Sequence, residues 1–122
     1  MPAVQAWRSR LRAADGLIFS TPEYAHGIPG VLKNALDWVV GSGELVDKPV
    51  TLFNASDRAT YAQASLTETL RMVSARVEAP LTLPLLGKSL SPDQILADPT
   101  MFAALPAALQ TFIVSIHESR HP

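Results

Sequence analysis

The sequence predicts an α/β fold, a parallel sheet with helices on both faces, and three observations carry that prediction. Apolar stripes at helical spacing take turns with short apolar runs along the chain. The run Leu17-Ile18-Phe19 is continuous, as in strands that a parallel sheet covers on both faces. The order is helix, strand, helix, strand, helix, short strand, helix, which calls for right-handed crossovers between parallel strands. At 122 residues the chain is a single domain, 1–122, with room for one core but short for a complete doubly wound fold.

Val4, Trp7, Leu11 and Ala14 recur at helical spacing, with Arg8, Arg10 and Arg12 turned largely away, so the first helix is amphipathic and ends before Asp15-Gly16. The strand Leu17–Phe19 follows. Pro29 and Gly30 open a second helix carrying Val31, Leu32, Ala35, Leu36, Val39 and Val40, which Gly41-Ser42-Gly43 breaks. Glu44 to Lys48 read as a polar connection, and Pro49 to Asn54 as the second strand. Leu66, Leu70, Val73 and Val77 form the stripe of a third helix. Pro84 limits Leu81–Leu86 to a short or edge strand. Gly87 to Pro99 read as a loop. The last stripe is Leu105, Leu109, Phe112, Ile113 and Ile116, in a helix that Pro106 starts or kinks.

Composition narrows the function. A net charge of -1 offers no electrostatic case for nucleic acid or an anionic membrane surface. Cysteine is absent, which excludes disulfides, thiolate metal sites and cysteine catalysis. No apolar run approaches the roughly 20 residues of a bilayer span. Met1 to Gln5 lack the apolar core of a signal peptide, so a cytoplasmic protein with no membrane partner is expected.

The most informative stretch is Pro22-Glu23-Tyr24-Ala25-His26-Gly27-Ile28-Pro29-Gly30-Val31-Leu32-Lys33-Asn34-Ala35-Leu36-Asp37-Trp38. It lies between a strand and a helix, beyond the strand's carboxyl end, where open α/β sheets hold ligands. His26 has no Asp, Glu or Ser at a suggestive spacing, and His117 and His121 are far along the chain, so loop polarity is its plain reading. A phosphoacceptor module of similar fold would need an acidic residue at a strand end, and neither Ser20-Thr21 nor Asn54-Ala55 supplies one.

The same stretch resembles the signature of the NADPH-dependent FMN reductase family, flavodoxin-like flavoproteins whose usual form is Pro-Glu-Tyr-Asn-x-Ser-x-Pro-Gly-x-Leu-Lys-Asn-Ala-Ile-Asp-Trp. Ala25 for Asn and Gly27 for Ser are the clearest departures. Asp15–Thr21 and Lys48–Leu52 resemble the family's third and fourth strands. The resemblance implies an N-terminally truncated flavodoxin-like sheet, lacking the first two strands and the Ser-rich phosphate loop between them. In the order 2-1-3-4-5 the strand Leu17–Phe19 then becomes an edge. An upstream gene start, a second polypeptide, or edge-to-edge pairing of two copies would each account for that.

By the same resemblance, Pro22, Glu23, Tyr24, Ala25 and Ser56 contact FMN, and NADPH supplies electrons for a small-molecule acceptor, a flavin or quinone. Hydride transfer between the two cofactors needs no protein base, so Glu23 is expected to fix the turn or cap the helix that follows it. Tyr24 either flanks the ring or packs, and Arg58 either meets a phosphate or is solvated. The glycines that usually follow the family's Ser are missing between Ala55 and Ala64. The helix of Lys33 and Trp38 often lies in the family's dimer interface, so a homodimer or homotetramer is expected, with core packing the other role open to Trp38. The competing expectation is a truncated relative that binds no flavin and acts through protein contacts.

Overall fold

The computed structural model describes residues 1–56, 58–83 and 90–120. Helix α1 (Pro2–Ala13) carries proline in its first turn, where a missing N–H costs nothing, and Arg10 and Arg12 in its last. Trp7 Nε1 donates to the Ala35 carbonyl at 2.9 Å, fastening α1 to α2 (Gly30–Asp37).

Strand β1 (Leu17–Phe19) runs parallel to β2 (Pro49–Asn54), with Leu17 opposite Val50 and Phe19 opposite Leu52. The far side of β2 carries two short parallel pieces. β3 (Arg76–Val77) pairs with Pro49 and Val50, and β4 (Leu81–Thr82) pairs with Phe53 and Asn54. Proline cannot donate to a ladder, and Pro80 falls in the break between them. Across that break the Glu78 N–H still donates to the Val50 carbonyl at 2.8 Å, and Thr51 Oγ1 donates to that of Ala79 at 2.9 Å. The sheet is open and parallel, as expected. Among the described residues β1 is its edge.

Alternate residues of a strand face opposite sides. Leu17, Phe19, Val50 and Leu52 therefore share one face, where they meet Leu11 of α1, Leu36 of α2, and Leu66 and Leu70 of α3 (Thr60–Met72). The other face carries α5 (Pro99–Arg120). Phe112 and Ile116 come so close to Gly16 that a Cβ there would lie 2.7 Å from Ile116 Cδ1. Arg76 donates to the Ser115 carbonyl at 2.9 Å and Arg120 pairs with Asp15 at 3.0 Å, so α5 is fixed at both β1 and β3.

Several expectations need correcting. Val77 lies on β3, not on the third helix. Ser74 at φ 65 closes α3, with Ala75 N–H donating back to the Leu70 carbonyl at 3.0 Å, and a serine in a left-handed turn gives no glycine to mark the stop. The stretch expected as a loop before Pro99 contains α4 (Pro92–Ala97), held by a capping box in which Ser91 and Gln94 serve each other. Helix α5 starts at Pro99, with Asp98 accepting from the N–H groups of Thr100 and Met101, so Pro106 lies inside it. The second helix ends at Asp37, and Val39 and Val40 follow in tight turns. Ile18 is 44% exposed, so the edge strand is not covered on both faces. Glu44 and Leu45, in the expected polar connection, are buried.

An 18-residue window of α5 reaches a mean hydropathy of 1.5, so this helix is long and apolar enough by composition to cross a membrane. The expectation that no segment reaches that length therefore fails. Of the expected strand Leu81–Leu86, residues 84–86 lie outside the described residues.

Candidate functional site

Two neighbouring parallel strands end side by side, and beyond their carboxyl ends lies an open cleft of about 460 Å³. One wall is Ser20, Thr21, Pro22 and Glu23, which continue from β1. The other is Asn54, Ala55, Ser56, Arg58 and Ala59, which continue from β2. That volume lies within the range of small-molecule sites, roughly 300–1,000 Å³.

Buried Asn54 organises the second wall. Its Oδ1 accepts from the Ser56 N–H at 3.0 Å, and its Nδ2 donates to the Ala59 carbonyl at 3.3 Å. An Asx turn of this kind bends the chain without glycine, which answers the missing glycines between Ala55 and Ala64. Ser56 Oγ then accepts from the Arg58 N–H at 3.1 Å, which holds the backbone of the one cationic residue on this wall.

The first wall leads into a tight turn. Tyr24 and Gly27 exchange two backbone hydrogen bonds of 2.9 Å, with Ala25 at φ 48 and His26 at φ 62 between them. Two consecutive positive φ values mark a type I′ turn, where Asn and Gly are the favoured residues. The usual Asn of the family signature suits the left-handed geometry at position 25, and Ala25 adopts it at a cost. The turn is fastened to α3 in two places. Glu23 Oε1 accepts the Ala62 N–H at 2.7 Å, and the His26 ring stacks on Tyr61 with centroids 4.2 Å apart.

Of the residues expected from the sequence, Pro22, Glu23 and Ser56 come together around the cleft. Tyr24 and Ala25 stand in the turn, outside the lining, with Tyr24 largely exposed and its N–H taken up by Gly27. Glu23 caps α3, which begins 37 residues further on, and not α2, the helix that its own turn opens. Arg58 lines the second wall. Sequence reasoning passed over Ser20, Thr21, Asn54, Ala55 and Ala59 as lining residues and missed the pairing of His26 with Tyr61. Adjacency of the two parallel strands was the available signal for the lining residues, because neighbouring strand ends share one crevice. Among the described residues no three His, Cys, Asp or Glu side chains gather as a metal site.

Among the described residues, the one resolved electrostatic perturbation lies outside the cleft. Burial would raise the Glu44 pKa, but hydrogen bonds from Ser42, Arg8, its own backbone N–H and Arg12 outweigh it and lower the value from 4.5 to about 2. Arg8 stands 2.7 Å and Arg12 3.1 Å from Oε1, so this carboxylate fastens α1 to the connection ahead of β2.

The profile of the NADPH-dependent FMN reductase family matches residues 1–83, which include β1, β2 and both walls of the cleft. The chain belongs to that family. It is 44% identical over 92 residues to an NADH:(hydroxy)cinnamate reductase subunit of Vibrio ruber, a match covering 70% of this chain and 45% of that protein. It is 42% identical over 55 residues to the quinone reductase of Escherichia coli, covering 43% of this chain and 29% of that one. The chain thus spans less than half the length of these relatives. Among solved structures, FerB of Paracoccus denitrificans, a flavoenzyme NAD(P)H:(acceptor) oxidoreductase, superposes with a TM-score of 0.84 at 24% identity, over 98% of this chain and 70% of that one. That likeness establishes the flavodoxin-like fold.

Proposed function

We propose that this chain carries the ring-holding part of an NAD(P)H-dependent reductase that uses FMN to reduce a flavin or quinone. The observation behind this reading is the position of the family's signature turn. Its first two residues, Pro22 and Glu23, line one wall of a cleft at the carboxyl ends of two adjacent parallel strands, and the turn itself leads out of that wall.

The residues present fit the flavin. Pro22 and Glu23 line one wall and Ser56 and Arg58 the other of an opening of suitable size that combines apolar surface, the hydroxyls of Ser20, Thr21 and Ser56 and, among the described residues, one cation for an anionic, planar ligand. The α3 N-terminus, a common anion site, has its Ala62 N–H engaged by Glu23. Arg58 is therefore the cleft group suited to a phosphate. When bound, FMN supplies the redox chemistry, and the protein supplies orientation and electrostatics. Pro22 and Ser56 confine the ring from opposite walls, Glu23 fixes the turn, and Tyr24 and Ala25 shape the entrance from outside the lining.

NADPH or NADH is the electron donor in this reading, with cytoplasm as the setting. Half-exposed Trp38 at the end of α2 is the anchor for a homodimer or homotetramer, since aromatics concentrate binding energy at interfaces.

The test is anaerobic NADPH oxidation with a quinone acceptor, with and without added FMN. Turnover that requires both the chain and FMN is expected. Absence of turnover together with unquenched FMN fluorescence at saturating protein would overturn the proposal. A flavin-free protein acting through contacts with other chains would then be the remaining reading, with the exposed Ile18 of edge strand β1 as its starting point.

A further inference from the structure

Helix α3 lacks a cap of its own. Its N-cap residue is Ala59, which has no side-chain acceptor, and a helix start leaves several N–H groups without intrahelical partners. The deficit is met from 39 residues away, by Glu23 accepting the Ala62 N–H at 2.7 Å. Three residues further along, His26 stacks on Tyr61, the residue before Ala62, with an interplanar angle of 17°. From the other wall, Asn54 donates to the Ala59 carbonyl at 3.3 Å. The loop after β1 and the loop after β2 are therefore fastened to the same helical turn, whose Ala59 lines the cleft.

We propose that Glu23 is a positioning residue for the flavin. By accepting the Ala62 N–H it fixes the spacing between the two walls, with the His26–Tyr61 stack as a second strap on the same turn. The role rests on the flavin reading of the cleft. It assigns to Glu23 no proton transfer. What matters is the reach of its acceptor oxygen, not its charge.

Two substitutions separate reach from charge. Glu23→Gln keeps an oxygen at the same distance and removes the charge. Glu23→Asp keeps the charge and withdraws the oxygen by one methylene. Each is measured twice in the intact chain: by amide hydrogen exchange at Ala62 without flavin, and by FMN affinity from fluorescence quenching. For E23D we expect exchange at Ala62 to rise about tenfold while that at Leu66 and Leu70 stays unchanged, and FMN affinity to fall about fivefold, the scale of a lost helix cap. E23Q should stay within about twofold of the parent in both measurements.

An FMN affinity that falls in E23Q and not in E23D would overturn the proposal, because charge would then be the operative property. So would faster exchange at Ala62 in E23D with FMN affinity unmoved, since the bond would then serve the helix alone. If the parent chain shows a protected Ala62 but binds no FMN, the flavin reading fails and the positioning role with it, while the cap survives. If Ala62 exchanges freely in the parent, the cap itself is refuted whatever FMN does.

Discussion

Replacing Ala25 by Asn should stabilise the protein, because Ala25 and His26 are held at φ 48 and φ 62 in the turn that leads out of the cleft. For a residue with a Cβ, the left-handed conformation costs roughly 1–2 kcal/mol, and Asn tolerates it through local hydrogen bonding. Ala25→Asn should therefore recover about 1 kcal/mol, equivalent to a Tm rise of about 4 °C in a domain of this size. Ala25→Gly relieves the same strain but frees the unfolded chain, offsetting about 0.4–1 kcal/mol, so its net gain should be a few tenths. Ala25→Val adds a β-branched side chain where φ is positive and should destabilise. If FMN binds the ordered turn, the Asn variant should also bind it up to about fivefold more tightly. Urea and thermal unfolding of the three variants supply the ranking Asn, Gly, parent, Val. A neutral or destabilised Asn variant, or a Val variant equal to the parent, would refute the argument from backbone strain.

The buried carboxylate of α1's packing gives a pH signature. With a folded pKa near 2 against 4.5, Glu44 stabilises the fold fully above about pH 4.5, and that contribution fades as pH falls toward 2. The full shift corresponds to roughly 3 kcal/mol, reduced toward about 2 because Arg8 and Arg12 face solvent on their outer sides. Glu44→Gln should lower stability at neutral pH by about that amount and flatten the acid limb of the unfolding profile; an acid limb unchanged by the substitution would contradict the assignment. Gly16→Val should cost about 1–3 kcal/mol in urea unfolding, since any Cβ there meets Ile116 and Phe112. An unaffected midpoint would show that α5 does not sit against β1 as described.

Much of this fold is legible where pattern and chemistry agree. Pro49–Asn54 reads as a strand and is one, because its apolar residues need no turn geometry to be understood. The cleft was legible from a single strand-turn-helix segment, since the carboxyl ends of parallel strands make a crevice whatever their sequence. The failures have two causes: local geometry set by a residue other than the usual glycine, and side chains that act from a distance. Ser74 ends α3 in the left-handed conformation more common for glycine, so Val77 read as one more helical turn. Asn54 bends the second wall where the family usually has glycines. Glu23 caps a helix that begins 37 residues later, and Glu44 is buried only because Arg8 and Arg12 arrive from α1. The partnerships of Glu23 and Glu44 have no fixed spacing along the chain. The Ser91–Gln94 capping box and Asp98-Pro99 were local signals of α4 and α5 within a stretch read as a loop.

The central claim is that the crevice beyond β1 and β2 is where this chain meets FMN. Isotope-labelled protein titrated with FMN, its backbone amides followed one by one, tests that directly. Saturable shifts should concentrate at Ser20, Thr21, Glu23, Ser56 and Arg58, with Ser115 and Glu118 on the far face unmoved. Shifts centred on α5, or none at any accessible FMN concentration, would contradict the account.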